Sequence, residues 1–137
     1  GALEQVQKDR QSETKRLEGL RNHLWQELNK KVEGISLNGS IKNRLPGNLN
    51  ICIDGAAGET MVAYLDKEGF GVATGSACTA ANQDPSHVLL AIGLSRVEAE
   101  SSLRITMGRD TTKKDVDALI KTLVKVIPRV RELTKRS

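Results

Sequence analysis

Aromatic side chains are almost absent from this chain of 137 residues, which holds one Trp (Trp25), one Tyr (Tyr64) and one Phe (Phe70). Any core must therefore be aliphatic. The shortage also argues against a module that stacks nucleic-acid bases on aromatic platforms. Cysteine is as scarce: Cys52 and Cys78 form no CxxC pair, and His23 and His87 stand in no metal-ligand motif, so no metal site is expected. The sparse thiols fit a reducing compartment. No apolar run is long enough to span a membrane and no signal peptide is visible, so the chain reads as soluble and cytoplasmic, with no membrane partner. The net charge of +4 is mild, and acids and bases are interspersed except at the C-terminus (Arg129, Arg131, Lys135, Arg136). That pattern belongs to solvated helix faces, so no nucleic-acid partner is expected. The length suits one domain with an extension, and Gly1 in place of an initiator Met suggests a piece of a longer protein.

What is present begins with helix. Residues 2–32 contain no Pro and one Gly, and are rich in Glu, Gln, Lys, Arg and Leu. Leu17, Leu20, Leu24, Leu28 and Val32 make a stripe at helical spacing, with Trp25 beside it. From Gln7 to Arg16 no large apolar side chain occurs, so this half projects into solvent or leans on something outside the chain, and Gly34 ends the helix. ISLNGS and RLPGNLNICI read as strands with turns at Asn38-Gly39 and Pro46-Gly47. A helix is predicted over 58–68 with Met61, Val62 and Leu65 inward, then a strand over 70–74. Pro85-Ser86 opens a further helix to about Ile92, and residues 95–100 make a helical turn. Leu103, Ile105 and Met107 alternate with Arg104 and Thr106, the period of a half-buried strand. Asp110-Thr111-Thr112 caps a last helix striped by Val116, Leu119, Ile120, Leu123, Val124, Ile127 and Val130, in which Pro128 should introduce a kink. The fold class is α+β: a small, mainly antiparallel sheet covered by helices, with a long helix at each end.

Three side chains could carry chemistry. Cys78 sits among small residues (Gly75, Ser76, Ala77, Thr79, Ala80) ahead of a turn-prone stretch, which leaves its sulfur open to a reacting partner. The alternative is an inert buried thiol. Arg104 could capture a carboxylate if its guanidinium faces a cleft, or could lie on the wet face of the sheet. His87 is a proton donor or a helix-surface histidine. No GxGxxG, P-loop or GxSxG pattern is present.

Taken together, RLPGNLNI, GETMVAYLDKEGFGVATGSAC, DPSHVLLAIGL and SSLRITMGRDTTKKDVD resemble, in order and spacing, the C-terminal part of the NifS/IscS-like cysteine desulfurases, pyridoxal-phosphate enzymes of the class-V aminotransferase fold. The resemblance covers nearly the whole chain. It implies that Cys78 is the nucleophile that takes the substrate's sulfur as a persulfide, that Arg104 holds the substrate's α-carboxylate, and that Cys52 is a strand residue of the core. The stretch between Cys78 and Ser86 resembles the longer, flexible loop of that subgroup. It further implies a linking helix over 1–32 and the small C-terminal domain over 33–137, with the large cofactor-binding domain outside this chain. The family's cofactor lysine follows a histidine; here His23 precedes Leu24 and His87 precedes Val88. Pyridoxal phosphate is thus expected in the full-length enzyme and not on this chain, which alone should be inactive. The expected partners are the large domain, a sulfur acceptor such as an iron–sulfur scaffold, and a second copy in a homodimer. The alternative is a cofactor-free persulfide carrier or docking module.

Overall fold

A computed structural model of the chain describes residues 2–38, 46–74 and 100–136. These hold, in order, α1 (Ala2–Lys31), β1 (Ile35–Leu37), β2 (Asn48–Ile53), α2 (Gly58–Lys67), β3 (Val72–Thr74), β4 (Ser102–Thr106) and α3 (Lys113–Arg136). The strands form one antiparallel sheet in the order β1-β2-β4-β3. This is the α+β arrangement expected, with a long helix on either side of the sheet in sequence. The helix read at 85–92 and the turn at 95–100 lie outside the described residues.

The central pair sets the layers. β2 and β4 run antiparallel from Asn48↔Thr106 to Cys52↔Ser102. Side chains alternate across a strand, so Leu49, Ile51 and Ile53 share one face with Leu103 and Ile105. That face joins Leu20, Leu24 and Leu28 of α1, Met61 and Leu65 of α2, and Val116, Leu123, Ile127 and Val130 of α3 in one buried aliphatic cluster. Each such side chain contributes roughly 1.5–3 kcal/mol on removal from water. Trp25, Tyr64 and Phe70 pack only at its margin.

The helical stripes follow the sequence closely, with two differences. In α3, Val126 is buried at 2 % exposure while Val124 packs only partly. In α1, residues 3–12 are exposed, as the missing apolar positions require, yet the polar half ends in a firm anchor. Arg16 donates to the carbonyl oxygens of Gly108 (3.1 Å), Arg109 (2.9 Å) and Thr111, and its guanidinium pairs with the Glu13 carboxylate at 2.7 Å. The hydrogen bond from Arg16 holds the Glu13 carboxyl below its ordinary range. The loop leaving β4 is thereby tied to α1. It ends in a reciprocal cap: Thr112 Oγ1 accepts from the Asp115 N–H (3.1 Å) and Asp115 Oδ2 accepts from the Thr112 N–H (2.9 Å).

Two glycines are dictated by contact. Gly47 turns into β2 at φ 74°, and a Cβ there would sit 2.6 Å from the Met107 carbonyl oxygen. Gly58 starts α2 against β4, where a Cβ would lie 2.7 Å from the Ser102 carbonyl oxygen.

Replacing Leu24, fully buried, by Ala should destabilise the fold by about 2–5 kcal/mol. The same change at Leu3, 82 % exposed, should cost no more than about 0.5 kcal/mol. Denaturant melts of the two variants check both. A second prediction concerns pH. His23 Nε2 lies 2.7 Å from Asp117 Oδ1, joining α1 to α3, and the hydrogen bond with His23 holds the Asp117 carboxyl below its ordinary range. A group whose pKa is lowered by folding stabilises above its unfolded pKa and loses that contribution as the pH falls through its folded value. Acidification should therefore lower Tm less in Asp117→Asn than in the parent chain. An unchanged Tm–pH slope in the variant would contradict this.

Candidate carboxylate-binding site

β4 is an inner strand, and its burial alternates. Leu103 and Ile105 are buried in the aliphatic cluster, while Arg104 is half-buried on the opposite face and Thr106 is exposed. Arg104 pairs across to Asn50 on β2 and to Ala73 on β3. The Ile53 N–H donates to the Ser101 carbonyl oxygen (3.0 Å) and the Met107 N–H to that of Gly47 (2.6 Å). That phase makes Leu49/Ile105 and Ile51/Leu103 the hydrogen-bonded pairs. Asn50/Arg104 is then a non-hydrogen-bonded pair, the kind in which facing side chains come closest. On the other flank the Ala73 methyl leaves room for a guanidinium. Arg104 thus stands in the middle of the sheet, on a face it shares with Asn48, Asn50, Ser102 and Thr106.

That face carries a buried hydrogen-bond network. Asn38, 1 % exposed, reaches over β2 from the end of β1. Its Nδ2 donates to Asn50 Oδ1 (2.9 Å) and to Ser102 Oγ (2.9 Å), with Ser102 fully buried. The Oδ1 atoms of Asn38 and Asn48 are buried with no hydrogen-bond donor. An amide oxygen in that state costs about 1–3 kcal/mol. Cys52 is buried at 6 % exposure, but it lies on this polar side, between Ser36 and Ser102 in register. It is a strand residue, as expected, and stands outside the aliphatic cluster. None of Asn38, Asn50 and Ser102 is a sequence-predicted site residue. The only signal for them is the polar alternation Asn48, Asn50 within NLNICI.

Cys78 and His87 lie outside the described residues. Among the described residues no group of three His, Cys, Asp or Glu side chains could hold a metal ion, and no helix is long and apolar enough to cross a membrane. A cleft of 390 Å³ between α1 and α3 is lined by His23, Glu27, Lys31 and Asp117 among others, with Glu27 and Asp117 already paired to Lys31 and His23. Every described lysine is exposed. A lysine that forms an imine with a cofactor is enclosed by the site that holds it, and no described lysine is enclosed.

The Aminotransferase class-V family model matches residues 2–119. The chain is 38 % identical over 135 residues to "Cysteine desulfurase IscS" of Clostridium botulinum, a match covering 97 % of this chain and 34 % of the relative. It is 41 % identical over 123 residues to the protein of the same name from Aeromonas hydrophila, covering 90 % and 30 %. Among solved structures, a "NIFS-LIKE PROTEIN" superposes with a TM-score of 0.73 at 24 % identity, over 86 % of this chain and 29 % of that one. The NifS-like protein from Rickettsia africae gives 0.70 at 26 % identity, over 87 % and 30 %. The chain therefore spans about a third of the length of the curated relatives it matches.

The burial of Cys52 is directly testable. Under native conditions iodoacetamide should leave Cys52 unmodified, and in denaturant it should alkylate it, as read by peptide mass. Labelling of Cys52 in the folded chain at the unfolded rate would show that the polar face is open.

Proposed function

The chain belongs to the class-V aminotransferase family, and from that premise we propose that it is the small C-terminal domain of a cysteine desulfurase. Residues 1–32 form the helix linking it to a large domain, and residues 33–137 form the small domain itself. The observation that carries this reading is Arg104, a half-buried guanidinium centred on the polar face of the sheet, with the Asn38–Asn50–Ser102 network beside it. A planar guanidinium so placed suits bidentate capture of a carboxylate. The curated relatives that match the chain bear the name cysteine desulfurase, and the α-carboxylate of L-cysteine is the ligand assigned to Arg104.

The roles divide as follows. Arg104 holds the carboxylate and so fixes where the substrate sulfur stands. The thiolate of Cys78 attacks that sulfur. An S–S bond forms as the C–S bond breaks, the C–S electron pair stays on carbon, and carbon takes a proton to give alanine. The sulfur remains on Cys78 as a persulfide for an acceptor thiol, such as that of an iron–sulfur scaffold protein in the cytoplasm. Pyridoxal phosphate belongs to this chemistry, but the described residues do not fit it: their lysines are exposed and their aromatic rings sit at the margin of the aliphatic cluster. The cofactor is assigned to the large domain, and the isolated chain is inactive. A homodimer is the proposed assembly of the longer protein.

The test is a steady-state assay on the protein containing both domains, with its cofactor. It should release alanine from L-cysteine. Arg104→Ala should raise KM about tenfold or more, the scale of a lost charge-assisted contact. Cys78→Ser should abolish the 32 Da sulfur adduct, about one sulfur atom, seen by intact mass, as expected of a lost thiolate nucleophile. A parent protein that forms no alanine from cysteine would overturn the assignment.

A further inference from the structure

Arg104 is one donor group, and a carboxylate offers two oxygens with about four lone-pair sites. The same face holds a second donor group. Asn50 is the cross-strand partner of Arg104, in a pair of the type that brings side chains together, with Cβ atoms about 4.5–5.5 Å apart. The two ends of its amide are not equivalent. Oδ1 accepts from Asn38 Nδ2 at 2.9 Å, and Asn38 is held in turn by Ser102. With Asn38 donating, an Asn50 nitrogen at this contact would be donor against donor, so the Asn38 donor turns the Asn50 oxygen toward itself. It leaves the Asn50 Nδ2, with its two N–H donors, at the other end, on the face shared with Arg104. That Nδ2 has no partner among the described residues, and Asn50 is half-buried, open to a ligand. No described strand residue on this face is acidic.

We infer that Asn50 is a second carboxylate donor beside Arg104, and that Asn38 is the positioning residue that turns its N–H groups outward. The inference rests on the assignment of Arg104 to the substrate carboxylate. Asn38 touches no substrate and acts through Asn50. Reversal of the Asn50 amide alone would set its N–H groups against those of Asn38, donor against donor.

The experiment uses the two-domain protein with its cofactor, reading kcat, KM for L-cysteine and the inhibition constant of L-alanine, which carries the same carboxylate. Asn50→Ala should raise KM and the alanine inhibition constant together, by about tenfold, with kcat changed by less than about twofold. Asn38→Asp keeps the shape at 38 but replaces donor by acceptor. Asn50 should then rotate to donate to Asp, withdrawing its N–H groups from the ligand, and both constants should rise by a similar factor. In the Asn50→Ala background, Asn38→Asp should have no further effect on either constant. A merely structural role would instead give additive losses, with kcat falling alongside Tm. Unchanged constants in Asn50→Ala overturn the inference even if Asn38→Asp fails to fold. If the parent converts cysteine and Asn50→Ala is silent, only this inference fails. If the parent forms no alanine, the desulfurase assignment falls and this inference falls with it.

Discussion

The pairing of β2 with β4 is the constraint on which the rest of the structure depends. Five residue pairs from Asn48↔Thr106 to Cys52↔Ser102 decide at once what each face of the sheet contains. In this register Leu49, Ile51, Leu103 and Ile105 point together into the aliphatic cluster, and Asn50 and Arg104 point together away from it. A slip of β4 by one residue would turn its side chains over, carrying Arg104 into the aliphatic cluster and Leu103 and Ile105 out of it. Close backbone approaches flank this pairing: Gly47 meets the Met107 carbonyl where the chain enters β2, and Gly58 of α2 meets that of Ser102 beside the other end. Arg16 then fastens the loop beyond β4 to α1 through three backbone carbonyls. The position of Arg104 is thus set from both directions along its strand.

What could be read from the sequence divides along physical lines. Periodic burial is written locally, so the stripes of α1, α2 and α3 and the alternation of β4 were legible to within a residue or two. The exchange of Val124 for Val126 marks the limit of such counting in a helix that passes through Pro128. Gly34 and the Thr112 cap were legible for the same reason, since turn and cap chemistry is local. The grip of Arg16 was not. Its acceptors are backbone carbonyls more than ninety residues away, and a carbonyl has no side-chain signature. The polar stretch of α1 therefore looked unsupported to its end, although its unbroken exposed run covers only residues 3–12.

The site was legible in a more uneven way. Periodicity placed Arg104 on the polar face but gave it no role; a role came from the order of whole motifs around Cys78 and Arg104. Asn38, Asn50 and Ser102 were invisible as a group. Each looks like an ordinary polar strand residue, and they become a network only when two strand registers bring β1, β2 and β4 together. Cys52 is a buried strand residue of the core, as expected, and the alternation that sets Ile51 and Ile53 among the helices turns it to the other side of the sheet.

The contrast between the two faces carries the final step. The aliphatic face is closed and complete. The polar face retains two buried amide oxygens, on Asn38 and Asn48, without donors, at about 1–3 kcal/mol each. A sheet selected for stability alone would replace such groups with apolar ones of similar shape, as its opposite face does. Local rules are broken most often where function requires it. Here the broken rule and the half-buried guanidinium occupy the same few rows of the same sheet. Asn38 is retained at that cost because its donor atoms orient Asn50; an aliphatic side chain there would leave the Asn50 amide free to turn. The stability of the domain is therefore generated on one side of β2 and β4, and part of it is given up on the other to keep the donors beside Arg104 in a single orientation.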